Sequence, residues 1–327
     1  MKIFFSPYQL KLAQSPNARS ENAMRLGALL KVESGSGTGY ADLCPFPELG
    51  DAYLRPELKA LKEGRPSVLG RQSLWLADRD ARARAEGRNL VRREPALRNN
   101  FLIEDPKSFG PQHLENVREM GFHTAKVKMG RDLAHEIEWL NASVLSGLRL
   151  RLDFNSSLTA AQFAAFQKAV SPAVDASIDY VEDPCAYAPE SWAEFRRRWP
   201  LALDREMDAL AASAEKPQAD VLIIKPARQD VDLLGERARE WNLKVTVTSM
   251  MDHPVGGLHA FACAQELRER GGNPVGDAGC LTLRLDPAND FSKAVRVEGP
   301  FILPTAGRGI GFDELLERQN WLPLDKA

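Results

Sequence analysis

LRLDFN, residues 150–155, carries an alternating apolar pattern into a carboxylate, Asp153, and the same arrangement recurs on both sides of it. TAKVKMG (124–130) reaches Lys128, IDYVEDP (178–184) reaches Glu182, LALD (201–204) ends on Asp204, and DVLIIKP (220–226) runs into Lys225. These five charges lie roughly 20–30 residues apart, about one strand plus its return helix, so consecutive strands present one charge each at the same edge. LRNNFLIE (97–104), KVTVTSM (244–250) and, more weakly, GDAGCLT (276–282) supply three further strands. Helix-period segments such as PQHLENVREMG (111–121), TAAQFAAFQKAV (159–170) and VDLLGERAREW (231–241) fill the intervals. Eight strands alternating with helices predict an α/β fold: a parallel sheet with right-handed crossovers, closed as a (β/α)7β TIM-like barrel over residues 96–299. A doubly wound open sheet is the alternative.

Residues 1–95 read differently. KIFFSPYQLKL (2–12) and RLGALLKVES (25–34) predict two strands joined by a polar loop around Gln14–Ser20. GTGYADLCPFPELGD (37–51) reads as a loop punctuated by Gly and Pro, with helices near 56–63 and 72–88. This is an α+β capping domain, and the segment from about 300 to 327 is expected to leave the barrel and complete it.

At 327 residues, the chain has room for one large domain and one small one. Lys plus Arg total 43 against 45 for Asp plus Glu, a balance that argues against a nucleic-acid binder. The locally basic RDARARAEGRNLVRRE (79–94) alternates with Ala and acids and reads as a solvated helix face. No stretch approaches the roughly 20 apolar residues of a membrane span. Cys44, Cys185, Cys263 and Cys280 are scattered, without a CxxC pair, and read as buried free thiols. A cytoplasmic enzyme fits these features.

Asp153, Glu182 and Asp204 come from three neighbouring strands. Converging alone, they would repel and raise one another's pKa values; a hard divalent cation removes that cost. Oxygen-only ligation suits Mg²⁺, with Mn²⁺ as a substitute, better than zinc. The competing reading has each acid capping a helix or pairing with Arg. Lys126 and Lys128 are two apart on a strand and share a face, and Lys225 stands on the far side of the acids. Crowded amines beside a metal should have lowered pKa values, letting one act as a base; snorkelling lysines are the alternative. Asp183 is expected to point away from Glu182 and serve as a cap.

A KxK on the second strand, Asp, Glu and Asp on the next three, and Lys on the sixth resemble the muconate-lactonizing subgroup of the enolase superfamily. GYADLCPFPELGD is similar to the capping-domain loop of that group, and TVTSMMDHPVGGLHA (246–260) resembles the o-succinylbenzoate synthases. The resemblance implies a small carboxylate substrate, Mg²⁺ on Asp153, Glu182 and Asp204, and Lys128 as the base that removes the α-proton. Lys126 and Lys225 would stabilise the resulting enediolate, and Lys128 would return the proton to a departing β-hydroxyl. That reaction is the syn-dehydration of 2-succinyl-6-hydroxy-2,4-cyclohexadiene-1-carboxylate to o-succinylbenzoate in menaquinone biosynthesis. Asn155 shares Asp153's face and is expected to orient a ligand or the lysine. By position, Ser249 and Met250 would offer backbone N–H groups to the second carboxylate, with a loop near Ser15–Arg19 closing over it. His253 and His259 read as structural. The chain departs from the family where Arg205 follows the third acid, with Glu206 after it. An N-acylamino acid racemase on the same residues is the runner-up, since Lys128 and Lys225 already supply amines on two sides. A ligand-binding barrel without catalysis and a Schiff-base aldolase using Lys225 are more distant readings.

Overall fold

The computed structural model describes residues 1–11, 24–282 and 289–326, except 206, 208, 210–212 and 214. The predicted loop at Gln14–Ser20, the loop near Ser15–Arg19 and Glu206 lie outside the described residues.

Strands β1 (Lys2–Lys11), β2 (Met24–Ser34) and β3 (Gly37–Leu43) form an antiparallel sheet. Its outer edge is Leu322–Pro323, which pairs with Phe4 and Phe5 of β1. Helices α1 (Leu54–Lys62) and α2 (Val68–Ala85) follow. Ala28, Leu29, Leu30 and Val32 of β2 are buried, as are Leu76 and Ala77 of α2. β3 corrects the reading of 37–51 as loop throughout. Its glycines look like turn punctuation, yet Gly39 is there because α2 passes so close. A Cβ at Gly39 would stand 1.9 Å from the Ala77 carbonyl oxygen.

The second unit opens with β4 (Phe101–Ile103), α3 (Pro111–Glu119), β5 (Thr124–Lys128), α4 (Leu133–Ala142), β6 (Arg149–Asp153) and α5 (Ala160–Ala169). It continues with β7 (Ile178–Glu182), α6 (Pro189–Phe195), β8 (Leu201–Leu203), β9 (Val221–Ile224), α7 (Val231–Glu240), β10 (Lys244–Val247) and α8 (Pro254–Arg270). β4 to β10 pair in chain order, all parallel. The weakly predicted GDAGCLT segment joins the two edges. Val245 bridges Val275, Thr248 bridges Gly279, and Asn99 bridges Ala278 in parallel. The Gly279 N–H donates to the Val247 carbonyl (2.9 Å) and the Ala278 N–H to that of Arg98 (2.8 Å). The sheet therefore closes into a barrel, and the open-sheet alternative falls. Closure needs glycine at 279, where a Cβ would lie 2.8 Å from the Thr248 methyl.

Leu150, Leu152, Val181, Leu222 and Ile224 are fully buried, so the strands read as apolar runs because both faces are covered. α5 and α6 pack on them through Phe154, Phe163, Phe166, Phe195 and Trp199.

α8 carries both histidines expected to be structural. His253 caps its start, Nδ1 accepting the Val255 N–H, and the His259 Nε2 lies 2.9 Å from the Tyr40 carbonyl. Burial pushes each down to about 3. An unfolded histidine titrates near 6.5, so the unfolded chain takes up more protons below that value and stability falls as pH drops from about 6.5 toward 3. Each should withdraw about 2 kcal/mol between pH 7 and pH 5. Urea unfolding of His259→Gln at both pH values should show a pH dependence flatter by about that amount. An unchanged slope would contradict the assignment.

Candidate active site

The sheet register sets Lys128 beside Asp153 and Asp153 beside Glu182, so the charges of three adjacent strands sit at one level of the barrel mouth. Asp204 follows β8 and Lys225 follows β9, continuing the row. All five line one cavity of about 390 Å³, together with Lys126. Its other walls come from the cap (Phe46, Glu48, Leu49) and from the 248–251 and 279–282 segments.

Acids and amines interleave. Lys126 Nζ donates to both Glu182 oxygens (2.8 and 2.7 Å) and lies 2.8 Å from Asp153 Oδ2. Lys128 Nζ reaches Asp153 Oδ2 at 2.7 Å and Asn155 Oδ1 at 3.2 Å. Lys225 Nζ reaches Asp204 Oδ2 at 2.5 Å. Asp153 and Glu182 are each only 1% exposed. Burial alone would push Asp153 up, but Lys126 and Lys128 together hold it far below the usual carboxylate range. Glu182 goes the other way: burial and then the charge of Asp153 push it up, more than Lys126 offsets. Lys126 differs from expectation. Burial lowers it, but Asp153 and Glu182 outweigh burial and hold it well above the ordinary lysine value.

Asp183, with φ of 41°, turns away from the row, and its carboxylate accepts the N–H groups of Asp204 (3.2 Å) and Arg205 (3.0 Å). It fixes the end of β8. Asn155, at φ 50°, donates its N–H to Asp153 Oδ1 and accepts from Lys128. Arg205 is exposed and lines the cavity.

Ser249 and Met250 also line it, but the expected use of their N–H groups needs correction. The Ser249 N–H donates to the Gly279 carbonyl (3.2 Å) and the Met250 N–H to Asp252 Oδ2 (2.9 Å). Barrel closure takes the first and a tight turn the second. What Ser249 retains is its hydroxyl, 2.8 Å from Thr282 Oγ1. The charge-based reading missed Thr248 and Asn100, which line the cavity as well. The buried Thr248 hydroxyl has no hydrogen-bond partner among the described residues. Its position just past β10, level with the other strand ends, was the available signal.

The donor set fits a hard divalent cation. It is oxygen-only and spans three adjacent strands, and burial first, then the charge of Asp153, raises Glu182. Among the described residues, a different group has its ligand atoms already within 4.8 Å of one another: Asp42, Cys44 and Asp252. That group is already engaged. Tyr8 donates to Asp42 Oδ1 (2.6 Å), the His253 N–H donates to Asp42 Oδ2 (3.0 Å), and burial pushes the Cys44 thiol up to about 12. It is a hydrogen-bonded seam between cap and barrel, without a thiolate to offer an ion.

Residues 3–83 match the family described as O-succinylbenzoate synthase, N-terminal domain, and residues 111–314 match Enolase C-terminal domain-like. The o-succinylbenzoate synthase of Bdellovibrio bacteriovorus is 41% identical over 326 residues, covering 99% of both chains. That of Yersinia enterocolitica is 28% identical over 71% of this chain and 76% of its own. In fold, the chain is similar to a dipeptide epimerase from Enterococcus faecalis complexed with Mg and a dipeptide (TM-score 0.75, 15% identity, 95% of this chain and 98% of the other). An N-succinyl Arg/Lys racemase from Bacillus cereus is equally similar (TM-score 0.74, 17% identity, 98% of both). With a closed parallel barrel, a cap, a mouth lined by acids and amines, and a full-length relative at 41% identity, the chain is an enzyme of the o-succinylbenzoate synthase family within the enolase superfamily.

Proposed function

We propose that the chain catalyses the magnesium-dependent syn-dehydration of 2-succinyl-6-hydroxy-2,4-cyclohexadiene-1-carboxylate to o-succinylbenzoate, a step of menaquinone biosynthesis. One observation carries the reading: three acids and three lysines from consecutive strand ends share one cavity, in a chain 41% identical to a synthase along its whole length.

Asp153, Glu182 and Asp204 would hold Mg²⁺, which when bound supplies a positive charge that stabilises negative charge on the substrate carboxylate. Lys128 takes the proton α to the carboxylate. Lys126 and Lys225 stabilise the charge that develops on the carboxylate oxygens. Lys128, now protonated, returns the proton to the leaving hydroxide on the same face. Asn155 holds the Lys128 ammonium while Asp183 fixes the backbone at Asp204. The work is cytoplasmic on this reading, in keeping with four buried free thiols; no described helix is long and apolar enough to cross a membrane.

Purified protein should release water from the cyclohexadiene substrate with added Mg²⁺, and a chelator should stop the reaction; turnover unaffected by chelator would overturn the metal assignment. Racemisation of N-succinylamino acids is the second reading, favoured by amines at Lys128 and Lys225 and by the likeness to the Bacillus cereus racemase. Exchange and inversion of such a substrate in D₂O, without water loss from the diene, would replace the first reading by the second.

A further inference from the structure

The cavity has one wall from the barrel and one from the cap, and a buried cation, Arg25, touches both. Arg25 is the second residue of β2, on the inward side of the strand and 5% exposed. Its Nη1 donates to the carbonyls of Met250 (2.5 Å) and Met251 (2.7 Å), and its Nη2 to the carbonyl of Cys44 (3.3 Å). Its guanidinium lies over the Phe46 ring, 4.2 Å from the centroid. Met250, Met251 and Phe46 all line the cavity. Met251 has φ of 56°, a conformation that a side chain longer than glycine's rarely adopts unless its surroundings hold it.

The charge is accounted for locally. Asp42 and Asp252 are buried beside Arg25 and tied to the same turn: Asp252 accepts the Met250 N–H, and Asp42 accepts the His253 N–H and the Tyr8 hydroxyl. A guanidinium with several fixed donors can hold two neighbouring carbonyls at once; an ammonium, a point charge on a flexible stem, holds them less rigidly.

We propose that Arg25 is a positioning residue for the substrate: it fixes the 250–251 turn against Phe46 and so sets the apolar wall on which the substrate's ring and side arm lie. The proposal rests on the dehydration reading above. The hydrogen bonds of Arg25 go to the carbonyls of Met250, Met251 and Cys44 rather than to the acid–amine row, so its removal should weaken binding more than chemistry. Hydrogen bonds from a charged donor are worth a factor of about 10 to 100 in an equilibrium.

The test compares the parent chain with Arg25→Met, Arg25→Gln and Arg25→Lys, by steady-state dehydration kinetics and by calorimetric titration with o-succinylbenzoate. For Arg25→Met, KM and the product Kd are expected to rise about 10-fold or more, with kcat within about 3-fold of the parent. Arg25→Lys should recover part of the loss, because an ammonium can still reach a carbonyl. Arg25→Gln, with neutral donors, should fall between Met and Lys and serves as the readout should the Met variant not fold. Unchanged KM and Kd in variants of an active parent would overturn the inference alone, as would a loss confined to kcat. A parent that neither turns over the diene nor binds the product would overturn the functional reading, and this inference with it.

Discussion

Lys128→Ala is expected to lower dehydration turnover by about 10³-fold or more while leaving a folded protein. A positioned general base contributes about 10²–10⁴-fold, and no other amine occupies the end of β5. Lys126, the nearest candidate to substitute, has its donors on Asp153 and both Glu182 oxygens. The fold should tolerate the change, because Lys128 closes a strand at the cavity rather than filling the core, and Asp153 keeps Lys126 as its partner. Lys128→Arg separates charge from basicity. A guanidinium keeps the positive charge but does not lose its proton in a protein, so this variant should be nearly as inactive as the alanine one. Single-turnover measurement of diene loss decides the matter. Activity within about tenfold of the parent in Lys128→Ala would remove the residue from the role of base.

Glu182→Gln should be as damaging to turnover, about 10³-fold, yet cost little stability when no divalent cation is added. Glu182 has a folded-state pKa above its ordinary value, from burial first and the charge of Asp153 second. A carboxyl raised in this way disfavours the fold once ionised: the penalty grows as pH rises through the unfolded value and disappears in acid. The neutral amide removes the penalty. The parent should gain thermal stability from MgCl₂, by about 2.7 kcal/mol at a hundredfold excess over Kd, and the variant should gain far less. Calorimetry with and without Mg²⁺ measures both. Equal magnesium stabilisation of the two proteins would mean that Glu182 does not hold the ion.

Much of this was legible because barrel chemistry is written at one place per strand. Asp153, Glu182 and Lys225 each follow an apolar run, and their spacing alone put them at one edge. Where the reading failed, the cause was non-local. Gly39 reads as turn punctuation, since nothing nearby in sequence reveals the Ala77 carbonyl against which it packs. The Ser249 N–H is taken by a carbonyl at Gly279, which only closure of the ring brings into reach. Arg25 lies more than two hundred residues before the Met250 and Met251 carbonyls it holds, so no window of sequence shows that contact. The direction of the Lys126 shift was missed for a different reason. The residues were identified, but sequence does not show that Lys126 stands within hydrogen-bond distance of Glu182 and Asp153 at once, and the two together outweigh its burial.

The pairing of Phe4 and Phe5 with Leu322–Pro323 has a bearing on how this protein is made. A ribosome delivers β1 about three hundred residues before its edge partner, so the barrel can be assembled while the cap sheet still has an open side. During that interval the bare edge of β1 is a template for any other nascent strand. Message truncation that spares every catalytic group could therefore still send the product to aggregates or to the proteases that clear them.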